Sequence, residues 1–192
     1  MFVLGVTGPS GAGKGTVCEI LKEFGYYHID TDRLVPGIYP KALPELINAF
    51  GSQIATDGIV NKKELAKVAF ASPDATNKLN SILHPLVMNQ VEELIKKAEQ
   101  DGFRAVAVDG AALLEARGEK VCDKILCVIS AKQERLQRVI QRDSISEDSA
   151  LQRFEAQKPD DYYTTNSDAV IENRTLEQLK CELITLIKEW EQ

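Results

Sequence analysis

Gly8-Pro9-Ser10-Gly11-Ala12-Gly13-Lys14-Gly15-Thr16 follows a short apolar run, Phe2 to Val6. It opens a stretch, Gly15 to Glu23, that places Val17, Ile20, Leu21 and Phe24 on one helical face. Strand, glycine-rich loop and helix together form the setting of a phosphate-binding loop. The chemistry demands this composition. Phosphate oxygens must approach the backbone closely, so bulky side chains are excluded and glycines take dihedrals that other residues rarely adopt. Successive N–H groups then face the anion, and the helix N-terminus adds its dipole. Lys14 supplies a mobile positive charge for the β- and γ-phosphates of a nucleotide. The strict pattern has Ser or Thr directly after the lysine. Here Gly15 stands there and the hydroxyl of Thr16 comes one residue later.

Beyond the loop, short apolar runs alternate with longer helical patterns. His28 to Asp30, Ala105 to Val108, Lys124 to Ile129 and Ala169 to Ile171 read as further strands. Strands separated by helices predict a parallel sheet of about five strands with helices on both faces, a three-layer α/β/α fold. Between Leu43 and Gln100 the periodicity is mostly helical and too long for one crossover, so it is read as a helical insertion on the ligand-binding edge of the sheet. A second, polar helical block runs from Lys132 to about Lys158 and carries Arg135, Arg138, Arg142 and Arg153. Leu176, Leu179, Leu183, Leu186, Ile187 and Trp190 form one stripe of a C-terminal amphipathic helix. The expected organisation is one domain. Its core is 1–32, 101–131 and 166–192, with a helical substrate region at about 33–100 and a lid at about 132–165.

The chain has 192 residues, enough for one sizeable core. Its net charge of −6 argues against duplex nucleic acid as partner, though not against a polyanionic small molecule held by a local nest. No apolar stretch approaches the length of a membrane span. The N-terminus is a poor signal peptide, because no basic region precedes it and Gly5, Gly8 and Pro9 interrupt it. Cys18, Cys122, Cys127 and Cys181 show no metal-type spacing and are expected to be buried, reduced thiols of a cytoplasmic protein.

Asp30 and Asp32 end the second strand two positions apart. Phosphoryl transfer to an alcohol needs a carboxylate that orients the hydroxyl and accepts its proton. A helix N-cap is the competing use of such a pair. Asp109, at the end of another strand, is positioned either to reach magnesium through water or to cap a helix. His84 is either a partly buried structural residue or a substrate contact.

The ordered set of motifs is more specific than any one of them. After the loop and Asp30-Thr31-Asp32 come Phe50-Gly51, Asp57-Gly58-Ile59-Val60-Asn61-Lys62, His84-Pro85 and Leu113-Leu114-Glu115. Arg138-Val139-Ile140-Gln141-Arg142-Asp143 follows, then Arg153, Gln157 and Asp168-Ala169-Val170-Ile171-Glu172-Asn173. This order resembles the dephospho-CoA kinase family from about residue 3 to 190. The resemblance implies ATP with Mg²⁺ on Gly8–Thr16, and dephospho-CoA as the small-molecule substrate, phosphorylated on its ribose 3′-hydroxyl. It implies Asp32 as general base, with Asp30 supporting it or holding substrate and His84 and Asp109 near the substrate. Arg138 and Arg142, one helical turn apart, become lid arginines that close over the triphosphate. The chain departs from the family at Asp109-Gly110-Ala111-Ala112, which lacks a proline. It departs again at Tyr162-Tyr163-Thr164-Thr165 and Ser167, and at Pro36-Gly37 after Asp32. The alternatives are a nucleoside monophosphate kinase, which the Gly15-Thr16 ending favours, and a non-catalytic nucleotide-binding regulator.

Overall fold

The structure is a computed structural model that describes residues 1–191. It divides into two compact units. One is Met1–Ile29 together with the chain from Ile95 onward; the other is Asp30–Leu94.

The first unit is built on a five-stranded sheet in the order β2-β5-β1-β6-β7. These strands are β1 (Phe2–Thr7), β2 (Tyr27–Asp30), β5 (Ala105–Asp109), β6 (Lys124–Ile129) and β7 (Ala169–Glu172). β1 pairs in parallel with β5, with Leu4 opposite Ala107, and with β6, with Leu4 opposite Lys124; β6 pairs in parallel with β7. Side chains alternate along β1. Leu4 and Val6 point into a core formed with Val17, Ile20 and Leu21 of α1 (Lys14–Glu23) and with Leu179, Leu183 and Ile187 of α8 (Leu176–Trp190). Gly5 faces the opposite side, where a Cβ would lie 2.8 Å from Leu113 and 3.1 Å from Cys122. That second face is filled by Leu114, Ile125, Cys127 and Tyr163. The three-layer α/β/α arrangement with a central parallel sheet is therefore as expected. Leu176 is an exception to the predicted C-terminal stripe, because it is exposed at the start of α8. Cys181 is exposed as well, whereas Cys18 and Cys127 are buried and all four thiols are free.

The polar block forms α5 (Lys132–Asp143), α6 (Glu147–Glu155) and α7 (Asp160–Thr165). Arg135, though it belongs to the polar block, is only 4 % exposed. Its guanidinium donates to Asp160 at 2.7 Å and lies over the Phe154 ring at 5.4 Å. A planar, delocalised cation can satisfy a carboxylate at its edge and an aromatic ring on its face at once, which makes its burial tolerable. Tyr163, one of the departures from the family pattern, is fully buried in the second-face core.

The second unit holds α2 (Thr31–Phe50), a hairpin of β3 (Ala55–Thr56) and β4 (Ile59–Val60), α3 (Lys62–Ala69) and most of α4 (Pro73–Gln100). The helical reading of this region missed the hairpin. Asp57 and Gly58 form its two-residue loop, both with positive φ (53° and 77°), the backbone a tight antiparallel turn requires. α2 begins twelve residues before the periodicity suggested and runs through Pro36, Pro40 and Pro44. The spacing explains this. The three prolines share one exposed face at four-residue intervals, while Ile38, Ala42 and Leu46 are buried on another. The N–H groups that proline lacks are thus missing only where water can satisfy the opposing carbonyls. α4 likewise continues through His84-Pro85, with Leu79, Leu83, Val87 and Val91 buried at four-residue intervals. Among the described residues no helix is long and apolar enough to cross a membrane.

Candidate active site

The turn from β1 into α1 is where the geometry concentrates. Gly8, Gly11 and Gly13 have φ of 135°, 79° and 106°. Each is also pressed by a neighbour. A Cβ on Gly8 would sit 2.2 Å from the Val128 carbonyl oxygen, one on Gly11 2.6 Å from the Arg135 carbonyl oxygen, and one on Gly13 2.0 Å from Asn173 Nδ2. Gly8 and Gly11 are closed to any other residue by both dihedral and backbone contact, and Gly13 by its dihedral. Gly15 differs, since a Cβ there meets nothing within 4 Å, so its departure from the strict pattern is not forced by packing. Thr16 is exposed in the first turn of α1.

The outer side of the loop is tied down by three side chains from distant parts of the chain. Arg138 Nη1 donates to the Gly11 carbonyl at 3.2 Å and to Ser130 Oγ at 3.1 Å. Asn173 Nδ2 donates to the Ala12 carbonyl at 2.9 Å. Gln157 grips Ser10 twice: its Oε1 accepts from the Ser10 N–H at 3.1 Å and its Nε2 donates to Ser10 Oγ at 2.7 Å. Three positions that the sequence reading quoted as motif members therefore act on the loop itself. Gln157 and Asn173 had no role assigned, and their only signal was their place in the ordered set. Lys14 Nζ folds back to the carbonyls of Gly8 (2.9 Å) and Pro9 (3.4 Å). A cavity of about 360 Å³ opens beside Pro9, lined among others by Lys132, Arg135, Gln157 and Lys158.

Arg142, one helical turn after Arg138, lies against its neighbour Asp143. Its Nε and Nη2 donate to Asp143 at 2.8 and 3.0 Å, and Arg153 donates to the same carboxylate. The hydrogen bonds from Arg142, followed by those from Arg153, hold the Asp143 carboxyl down to about 2. Because the folded value lies below the unfolded one, this contribution to stability is complete above the ordinary carboxylate pKa near 4 and is lost as pH falls toward about 2. In urea unfolding, Asp143→Asn is expected to be less stable than the parent at pH 6. The gap should shrink steadily as the pH drops below 4.

Asp109 ends β5, with its Oδ2 3.7 Å from His28 Nε2. Asp30, Asp32 and His84 belong to the other unit. Asp30 is the N-cap of α2: its Oδ1 accepts from the backbone N–H of Asp32 (3.1 Å) and of Arg33 (3.2 Å), and its Oδ2 meets Arg33 Nε at 3.1 Å. The two carboxylates thus differ in role. The capping account holds for Asp30, and Asp32 is exposed in the helix's first turn. His84 is half-buried in the middle of α4.

With this geometry in place, comparison with known proteins decides the family. The dephospho-CoA kinase family model matches residues 2–178. The chain belongs to the dephospho-CoA kinase family. A dephospho-CoA kinase of Corynebacterium jeikeium is 36 % identical, covering 93 % of this chain and 94 % of that one. A dephospho-CoA kinase of Carboxydothermus hydrogenoformans is 33 % identical, covering 98 % and 94 %. A crystal structure from Thermus thermophilus superposes with a TM-score of 0.82 at 28 % identity, covering 98 % and 97 %. Dephospho-CoA kinases are ATP-using transferases with an alcohol acceptor, and the glycine cradle with its lysine fits that nucleotide. For magnesium the donors also fit: the Thr16 hydroxyl and the Asp109 carboxylate are the hard oxygen ligands that ion prefers.

A dephospho-CoA kinase whose cradle dihedrals are already set binds phosphate without first ordering the loop. The double contact of Gln157 is one element of that pre-organisation. Gln157→Ala is expected to raise the KM for ATP roughly tenfold, about the worth of one hydrogen bond, with a smaller change in kcat. Steady-state titration of ATP at saturating acceptor checks this.

Proposed function

We propose that this chain transfers the γ-phosphoryl group of ATP to the ribose 3′-hydroxyl of dephospho-CoA, giving coenzyme A and ADP. The observation that carries the reading is the loop itself. Gly8, Gly11 and Gly13 hold the left-handed backbone that lets successive N–H groups face an anion, Arg138 and Asn173 fix the loop by its outer carbonyls, and Lys14 opens the helix beside it. In the transfer a bond forms between the acceptor oxygen and the γ-phosphorus while the bond to the β,γ-bridging oxygen breaks. The Asp32 carboxylate orients the hydroxyl and takes its proton. Lys14 stays on the β- and γ-oxygens through the transition state, where charge stabilisation supplies most of the rate. Thr16 and, through water, Asp109 would hold magnesium, which when bound would neutralise negative charge on the phosphates. Arg142 moves from Asp143 to the phosphates as the lid helices close and exclude water.

Dephospho-CoA is held by the Asp30–Leu94 unit, with His84 among its contacts. Free thiols, two of them buried, suit a reducing cytoplasm.

The test is CoA formation by the purified chain from ATP and dephospho-CoA, run beside a panel of nucleoside monophosphates. CoA and ADP in equal amounts are expected. ADP release driven by a monophosphate, without CoA formation, would replace the substrate assignment. ATP binding without acceptor-dependent ADP release would remove the enzyme assignment.

A further inference from the structure

Cys18 and His28 have no part in the transfer reaction, yet both gather at Asp109. Cys18 is on α1, one turn after Lys14 and on the same face. His28 is on β2, and Asp109 ends the neighbouring strand β5. The Cys18 thiol sulfur, a His28 ring nitrogen and an Asp109 carboxylate oxygen all lie within 4.8 Å of one another. Cys18 is fully buried, and His28 Nε2 is buried without a hydrogen-bond partner, 3.7 Å from Asp109 Oδ2. Among the described residues no other three His, Cys, Asp or Glu side chains gather in this way.

We infer that Cys18, His28 and Asp109 form a binding site for a thiophilic divalent cation of the zinc class, and that its occupancy switches the enzyme off.

Three arguments lead there. The first is distance. A tetrahedral zinc with bonds of about 2.0–2.3 Å holds its ligand atoms roughly 3.3–3.8 Å apart, so the cluster needs to contract by only about 1 Å. The second is ligand character. Thiolate and imidazole select zinc-class ions, whereas magnesium takes oxygen, so the same Asp109 can serve two ions of different hardness. The third is charge. A thiolate and a carboxylate neutralise a divalent ion, the neutral imidazole adds a third ligand without leaving a net charge in the core, and a water takes the fourth position. Binding replaces the Cys18 thiol proton, which leaves to solvent, and no oxidation state changes. The orphaned His28 Nε2 gains the partner it lacks. The inhibition follows because Asp109 cannot serve magnesium while it ligates the softer ion. That part rests on the proposed transfer reaction, whereas the binding itself does not.

The binding is tested on the purified, chelator-stripped protein with Co²⁺ as a spectroscopic stand-in, followed by Zn²⁺ competition. One equivalent is expected to give visible d–d bands and a thiolate-to-cobalt charge-transfer band in the near ultraviolet. Zn²⁺ should abolish both. Cys18→Ser should lose the charge-transfer band and Cys181→Ser should keep it. His28→Gln, which leaves the thiol in place, should keep the band but weaken binding at least tenfold. No charge-transfer band, or one that follows Cys181 instead of Cys18, overturns the site. In the activity assay, stoichiometric Zn²⁺ in excess Mg²⁺ should suppress turnover and a zinc-selective chelator should restore it. Binding that leaves turnover intact would keep the site and remove the switch.

Discussion

Lys14→Ala is expected to lower turnover by at least ~10², about 2.7 kcal/mol of transition-state stabilisation, while the protein stays folded. The two halves of that result have different causes. The loop's backbone is held by Gln157, Arg138 and Asn173 and by the exclusion of any Cβ at three glycines. None of these depends on the lysine. Lys14 itself donates to the carbonyls of the buried residues Gly8 and Pro9, and losing those bonds costs about 1–3 kcal/mol. The thermal midpoint should therefore fall by several degrees. The rate depends on something else, a point charge that can follow the γ-phosphoryl as negative charge redistributes. Lys14→Arg should not restore it, because a rigid planar fork cannot occupy the position of a compact ammonium. Single-turnover ADP formation beside a melting curve separates the two effects. An Ala variant within tenfold of the parent rate would show that charge at this position is not what the reaction needs.

What could be read from the amino acids alone depended on how local the cause was. The phosphate loop was legible because both its requirements, small residues and a strand-to-helix context, lie within fifteen residues. The central strands β1, β5 and β6 were legible because buried parallel strands are continuous apolar runs. Proline misled the reading of α2. As single residues Pro36, Pro40 and Pro44 argue against helix, and only their shared exposed face, visible once Ile38, Ala42 and Leu46 are buried, makes them compatible with it. The hairpin at Asp57-Gly58 was missed because its strands are two residues each, too short for any period to register. Arg138 and Arg142 were paired by helical spacing. Spacing fixes which face a side chain leaves from but not which partner it finds: Arg138 found a loop carbonyl and Arg142 found Asp143. Non-local contacts explain the remaining gaps. Gln157 and Ser10 are 147 positions apart, and Asn173 and Ala12 are 161 apart, so no window of sequence could connect them.

The same limit separates the two aspartates after β2, and one substitution at each resolves them. Asp30 holds the first turn of α2 by capping, and Asn caps nearly as well, so Asp30→Asn should leave stability within a few tenths of a kcal/mol. Asp30→Ala should cost about 1 kcal/mol. Asp32 sits one position inside the helix, where a carboxylate gains only ~0.3–1 kcal/mol from the dipole. If that were its whole purpose, Asp32→Asn would reduce stability slightly and leave the chemistry intact. As the general base it should do the reverse. Asn keeps the shape and one acceptor oxygen but cannot take a proton, so turnover should fall by at least ~10² with little change in melting or in the KM for ATP. The acceptor hydroxyl would still be held, because orientation needs only the oxygen. The loss should therefore appear in kcat rather than in the KM for dephospho-CoA. A variant that melts lower than the parent but turns over at the parental rate would return Asp32 to the helix and leave the proton without a carrier.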